Sequence, residues 1–151
     1  MNKLNILVSL LAISFLVGFS SCKKVEGCTD SNSPTYNVEA EKDDGSCVSV
    51  ADAMTGTWNA SETAAGITQS YDVTIAKVDD NTILITEKDR IASPLFTPDS
   101  YEVDLNWATK MVTSTNDIYT GTIGGENSID VNYTVVNSSG LDFTVAVKYT
   151  R

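Results

Sequence analysis

The chain has 151 residues, with 20 acidic side chains against 10 basic ones, no histidine, and a formal charge of −10 at neutral pH. A surface of that sign repels nucleic-acid phosphates, which excludes a nucleic-acid partner. The missing imidazole removes the commonest general base and transition-metal ligand.

In chain order, the first element is a leader. Met1-Asn2-Lys3 is a short basic start, and Leu4 to Phe19 is an almost unbroken apolar run that is too short to span a bilayer comfortably. The run closes on Leu16-Val17-Gly18-Phe19-Ser20-Ser21-Cys22. This pattern resembles the lipobox of bacterial lipoproteins. The resemblance implies that residues 1–21 are a signal peptide, that cleavage precedes Cys22, and that the Cys22 thiol carries lipid. Acyl chains contribute about 0.8 kcal/mol per buried CH₂, so two or more hold a protein on a membrane. No acidic residue follows the cysteine directly, since Lys23 and Lys24 come next. The expected location is therefore the outer membrane of a Gram-negative bacterium, with its periplasmic and outer faces both open.

With Cys22 acylated, Cys28 and Cys47 remain, an even pair in an exported chain, which reads as a disulfide. Closing a loop of that size stabilises by roughly 3 kcal/mol in the chain-entropy model. The enclosed segment holds two turn signals, Ser31-Asn32-Ser33-Pro34 and Lys42-Asp43-Asp44-Gly45, and almost no apolar residues. Gly27-Cys28-Thr29-Asp30, Thr35-Tyr36-Asn37, Ala40 and Asp43-Asp44-Gly45-Ser46-Cys47 resemble a small two-cysteine module of exported Gram-negative proteins. That resemblance implies a stapled spacer over 22–53. Asp30, Asn32, Asp43 and Asp44 offer oxygen ligands, but the EF-hand spacing is not met, so solvated turn carboxylates are expected there and no metal is assigned.

Val48 to Met54 is a link with room for one helical turn. From residue 54 onward apolar and polar residues alternate with period two. Tyr71, Val73 and Ile75 share a face; Asp79-Asp80-Asn81 turns the chain; Ile83 and Ile85 begin the return. Tyr101, Val103, Leu105 and Trp107 alternate with polar neighbours, as do Ile129, Val131, Tyr133 and Val135. After Asn137-Ser138-Ser139-Gly140, the residues Leu141, Phe143, Val145, Val147 and Tyr149 form the last strand. Further strands near 55–63, 110–115 and 117–124 bring the count to about eight. The expected fold is all-β, an antiparallel up-and-down meander closing into a barrel, with a β-sandwich as the alternative.

Gly56-Thr57-Trp58 at the head of the meander, with Tyr71 to Ile75, Gly121-Thr122-Ile123-Gly124 and the Tyr133 strand, resembles small bacterial lipocalin-like domains over 54–151. The resemblance implies that Trp58 plugs one barrel end and that a late basic residue, here Arg151, lies against it. The family's middle Thr-Asp-Tyr signature is missing, and the domain is short for a lipocalin, so any cavity should be narrow.

Catalytic constellations are absent from the sequence: no histidine, no Gly-x-Ser-x-Gly and no phosphate-cradling glycine loop. Glu102 and Asp104 belong to the polar face of a strand, so no enzyme activity and no cofactor are expected. Two functions stay open. Tyr71, Tyr101, Trp107 and Phe143 line a pocket for a small apolar ligand, since small barrels either hold one ligand or fill with side chains. Otherwise the core is filled, and the loops contact a protein or glycan partner. The loop Ile91 to Pro98, carrying Leu95 and Phe96, reads as a lid, a partner contact or a segment tucked on the core.

Overall fold

The structure is a computed structural model that describes residues 23–87, 100–114, 118–136 and 139–151. Cys22, the leader and the loop with Leu95 and Phe96 lie outside the described residues. A short helix, α1 (Val50–Met54), precedes eight strands: β1 (Gly56–Ala64), β2 (Ile67–Lys77), β3 (Thr82–Glu87), β4 (Ser100–Asn106), β5 (Met111–Thr113), β6 (Tyr119–Gly125), β7 (Ser128–Val136) and β8 (Asp142–Thr150). Each strand pairs antiparallel with the next, and β1 returns onto β8 to close the barrel. The closing register runs from Asn59↔Thr150 to Ala64↔Val145, so the sandwich alternative is excluded. Closure gives each strand a hydrogen-bonded neighbour on both sides, so the sheet has no free edge strand.

The side-chain alternation decides what fills the barrel. Along β7, Ile129, Val131 and Tyr133 are buried while Asn132 and Thr134 face water; β8 repeats this with Val145, Val147 and Tyr149 inside. Ile83 and Ile85 on β3 and Val103 and Leu105 on β4 complete an aliphatic interior. Burying each such side chain contributes about 1.5–3 kcal/mol, which is what drives the sheet to curl over its apolar face.

Local chemistry sets the turns. Between β1 and β2, Ala65 and Gly66 both take positive φ, 49° and 80°, the mirror-image turn whose twist matches a two-residue hairpin. Between β2 and β3, Asp79 accepts hydrogen bonds from the backbone N–H groups of Asn81 and Thr82, both at 2.8 Å. Gly121 on β6 marks the closest backbone approach. A Cβ there would lie 1.9 Å from the Asp130 carbonyl oxygen of β7.

Up-and-down topology puts the β2–β3, β4–β5 and β6–β7 turns at one end with α1 and the C-terminus, and the other connections at the opposite end. The first end is sealed. Val50, Ala51 and Met54 of α1 are fully buried with the barrel core, and Trp58 is 1% exposed beneath them. The Trp58 indole N–H donates to the Met54 carbonyl at 2.8 Å. The Arg151 guanidinium sits 4.8 Å from the Trp58 ring centroid and donates to the carbonyls of Ala53 and Thr55 at 2.7 and 3.3 Å. The link before residue 54 therefore supplies part of the barrel core through Val50 and Ala51, and α1 straddles the division drawn at residue 54.

The stapled module stands at the same end. Cys28 and Cys47 are disulfide-bonded. Within the loop Ser33 Oγ donates to the Val48 carbonyl at 2.8 Å, and Gly27 N donates to the Lys42 carbonyl at 3.0 Å. Asp30, Asp43 and Asp44 each accept a backbone N–H two residues ahead, the turn role expected of them. Asn32 joins module to barrel. Its amide donates to Asn81 Oδ1 in the β2–β3 turn, and its carbonyl accepts the Trp107 backbone N–H, both at 2.5 Å.

Candidate functional site

The interior changes character along the barrel axis. Next to the sealed end it is aliphatic. Towards the opposite rim it is lined by Tyr71, Tyr101, Tyr119 and Tyr133, while Tyr149, opposite Ile129 near the sealed end of β8, reaches Tyr101 with its hydroxyl. None of these five, of the chain's six tyrosines, is more than 8% exposed. Two glutamates join them, Glu62 of β1 at 1% exposure and Glu87 at the end of β3 at 8%. The strand register explains the convergence. Ala60 pairs with Tyr71 and Glu62 with Gln69 across β1–β2, Val73 pairs with Glu87 across β2–β3, and Ile85 pairs with Tyr101 across β3–β4. Inward positions two residues apart on adjacent strands thus bring Glu62, Tyr71 and Glu87 together.

A single phenol links the two carboxylates. The Tyr71 hydroxyl lies 2.8 Å from Glu62 Oε2 and 3.1 Å from Glu87 Oε1, and Gln69 Nε2 donates to Glu62 Oε2 at 3.3 Å. Buried carboxylates are tolerated only with such donors, because desolvating an ionised group without them costs several kcal/mol. Across the barrel, the Tyr101 and Tyr149 hydroxyls hydrogen-bond to each other. Tyr101 stacks on Tyr119 with centroids 4.2 Å apart, and Tyr119 meets Tyr133 edge-on at 5.2 Å. Burial pushes the Tyr101 and Tyr149 phenols well above the usual tyrosine range, and neighbouring Glu87 adds to the shift in both. These phenols stay neutral donors and acceptors throughout the physiological range.

The four residues expected to line a pocket separate into two groups. Tyr71 and Tyr101 stand in the polar cluster. Phe143 points inward but is only half-buried, near Val135, its cross-strand partner at the rim. Trp107 is elsewhere: it lies in the β4–β5 turn at the sealed end, half-buried, with Lys110 Nζ 2.9 Å over its ring. Strand β4 stops at Asn106, whose side chain caps Thr109 N at 2.9 Å, and Lys110 takes φ 58° to reverse the chain. Trp107 therefore does not join the other three.

Glu62 and Glu87 escape a reading of the sequence alone. The signal is present, because Glu62 is in phase with Trp58 and Ala60, and Glu87 with Ile83 and Ile85. A charged residue on an apolar face reads as an interruption of the pattern instead of as lining. Among the described residues no group of three or more acidic or cysteine side chains is placed to hold a metal ion. No described helix is long and apolar enough to cross a membrane.

No known protein family matches the chain, and no curated protein resembles it in sequence. Among solved structures it is similar to a redesigned β-barrel, b11L5F_LGL, at 14% identity and TM-score 0.47, covering 68% of this chain and 95% of that one. It is also similar to EF1p2_mFAP2b bound to DFHBI, at 10% identity and TM-score 0.47 over 69% and 98%. A de novo designed fluorescence-activating β-barrel matches at 15% identity and TM-score 0.38 over 69% and 99%.

Proposed function

We propose that this protein is a non-enzymatic lipoprotein, anchored through acylated Cys22 on the outer membrane of a Gram-negative bacterium, whose barrel binds one small molecule. The ligand has a flat, largely apolar body and a hydrogen-bonding group. It enters from the rim opposite Trp58 and is received by Tyr71, Tyr101 and Phe143 together with Glu62 and Glu87. The observation that carries this reading is the axial division of the interior. One end is closed by α1, Trp58 and Arg151, and Tyr71, Tyr101, Tyr119, Tyr133 and the two buried carboxylates collect toward the other. Binding sites typically combine aromatic walls with a few fixed polar groups, and tyrosines supply both. The anchoring half of the proposal rests on the leader and its resemblance to a lipobox.

The test is native mass spectrometry of the full-length protein extracted from its membrane in mild detergent. A small-molecule adduct is expected on the wild type and its loss on a Tyr71→Phe, Glu62→Gln double variant that remains folded. A wild-type protein that carries no adduct, alone or after incubation with a panel of planar aromatic compounds, overturns the ligand reading.

A second reading has its own observation. Ile67, Ile118, Val136 and Leu141 are exposed at 50–74% and all four lie at the rim. A filled interior with this apolar ring as a contact for a protein or glycan accounts for them. In that case the double variant alters stability alone.

A further inference from the structure

The two ends of the barrel are unequal with respect to the chain's own N-terminus. Among residues 23 to 48, the contacts that join the stapled module to the barrel are made at the sealed end. Asn32 bonds both the β2–β3 turn and the β4–β5 turn. Asp30, Asn32, Cys47 and Val48 share one groove with Asp52, Asp80 and Asn81 of that end. The module is itself tied down from its first residues. The Val25 carbonyl accepts Glu41 N and Lys42 N at 2.8 and 3.2 Å, and Lys42 pairs with Glu26 at 2.6 Å. Only Lys23 and Lys24 separate Cys22 from that fixed point. Three steps of extended chain reach at most about 11 Å.

We infer that the protein stands on its membrane with the sealed end and stapled module toward the lipid and the tyrosine- and carboxylate-bearing rim toward water. This inference rests on the lipidation of Cys22 proposed above. A barrel strand of nine residues, tilted as barrel strands are, puts the two ends about 23 Å apart. A tether of half that length leaves little room for the body to turn over. Charge acts in the same sense. From Val25 onward the chain carries seven basic and 20 acidic side chains, so the body is repelled by anionic headgroups while Lys23 and Lys24 are attracted. The barrel is held off the surface by its module instead of lying along it. The exposed apolar ring of Ile67, Ile118, Val136 and Leu141 then faces away from the bilayer. Whatever the rim receives arrives through the aqueous phase and is not drawn from the lipid beneath.

Energy transfer to the membrane plane tests this. The acylated full-length protein is reconstituted in phosphatidylethanolamine–phosphatidylglycerol vesicles that contain an acceptor-labelled lipid. A donor dye is attached either at Thr109→Cys in the exposed β4–β5 turn or at Ile67→Cys on the rim, after the Cys28–Cys47 bond has formed. Transfer from position 109 should exceed transfer from position 67. Inserting a Gly/Ser linker of about 20 residues, roughly 25 Å in reach, between Lys24 and Val25 should abolish the difference. Equal transfer from both positions with the native tether, or greater transfer from position 67, overturns the orientation while leaving the anchor intact. A protein that fails to stay on vesicles, or a Cys22→Ser form that stays on them as well as the wild type, overturns the lipidation and the orientation with it.

Discussion

Two tryptophans that look alike in the sequence have opposite roles, and the difference is measurable. Trp58 is 1% exposed, bonded to Met54 and covered by Arg151, whereas Trp107 sits half-buried in a turn beneath Lys110. Trp58→Ala opens a cavity at the sealed end and should cost about 3–5 kcal/mol. Trp107→Ala should cost about 1 kcal/mol. Urea denaturation of the two variants checks this, and similar midpoints would contradict the plug role. The buried phenols give a second handle. The folded-state pKa values of Tyr101 and Tyr149 are raised, mainly by desolvation, so the folded protein keeps these protons after the unfolded chain has released them near pH 10. A raised value contributes stability below the unfolded pKa and loses it as pH climbs toward the folded one. The melting temperature should therefore fall above about pH 10, and less steeply in Tyr101→Phe. A profile flat to strong alkali in the wild type would show that these phenols are accessible to hydroxide.

At the scale of the element, β7 shows what alternation can and cannot say. Val131 faces the core and Thr134 faces water, and a slip of one residue would exchange every such pair. Val131→Asp places a charge among Ile129, Val147 and their neighbours and should unfold the barrel. Thr134→Asp should cost less than about 1 kcal/mol. Comparable melting curves would reject the register. Periodicity makes the inside of each long strand legible because one face is apolar and the other is not. It fails where the element is too short or the lining is polar. Five residues, Val50-Ala51-Asp52-Ala53-Met54, are too few to display a helical period, so their burial over Trp58 is hidden in the letters. Trp107 continues the alternation of Leu105 in the letters alone, but capping by the Asn106 side chain ends the strand before it.

For the whole molecule, hairpin order is readable from the spacing of turn signals, and closure is not. Period two assigns a face to each strand and says nothing about which strand completes the ring, so only the Asn59↔Thr150 ladder separates barrel from sandwich. The candidate site shares that origin. Glu62, Tyr71 and Glu87 meet because neighbouring strands are staggered, a relation no single strand carries. The placement of the module on the sealed end is equally hidden, since it depends on Asn32 reaching two turns, to Asn81 and Trp107, 49 and 75 residues away.

The seam between β1 and β8 also bears on how the chain gets folded at all. Each hairpin joins near neighbours in sequence, but this last ladder joins residue 64 to residue 145 at its nearest pair. Ordering so long an intervening stretch before any contact rewards it is entropically slow. Until residues 145–150 are available, β1 has one bare flank, an invitation to pair with another chain. A chain ending at residue 144 should therefore self-associate, detectable by light scattering during refolding from urea, while the full-length chain returns as single barrels. If the shortened form refolds cleanly as a monomer, the seven open strands have found another way to shield their edges. The closing strand thus acts as a built-in timer, withholding the finished barrel until β8 itself has been delivered.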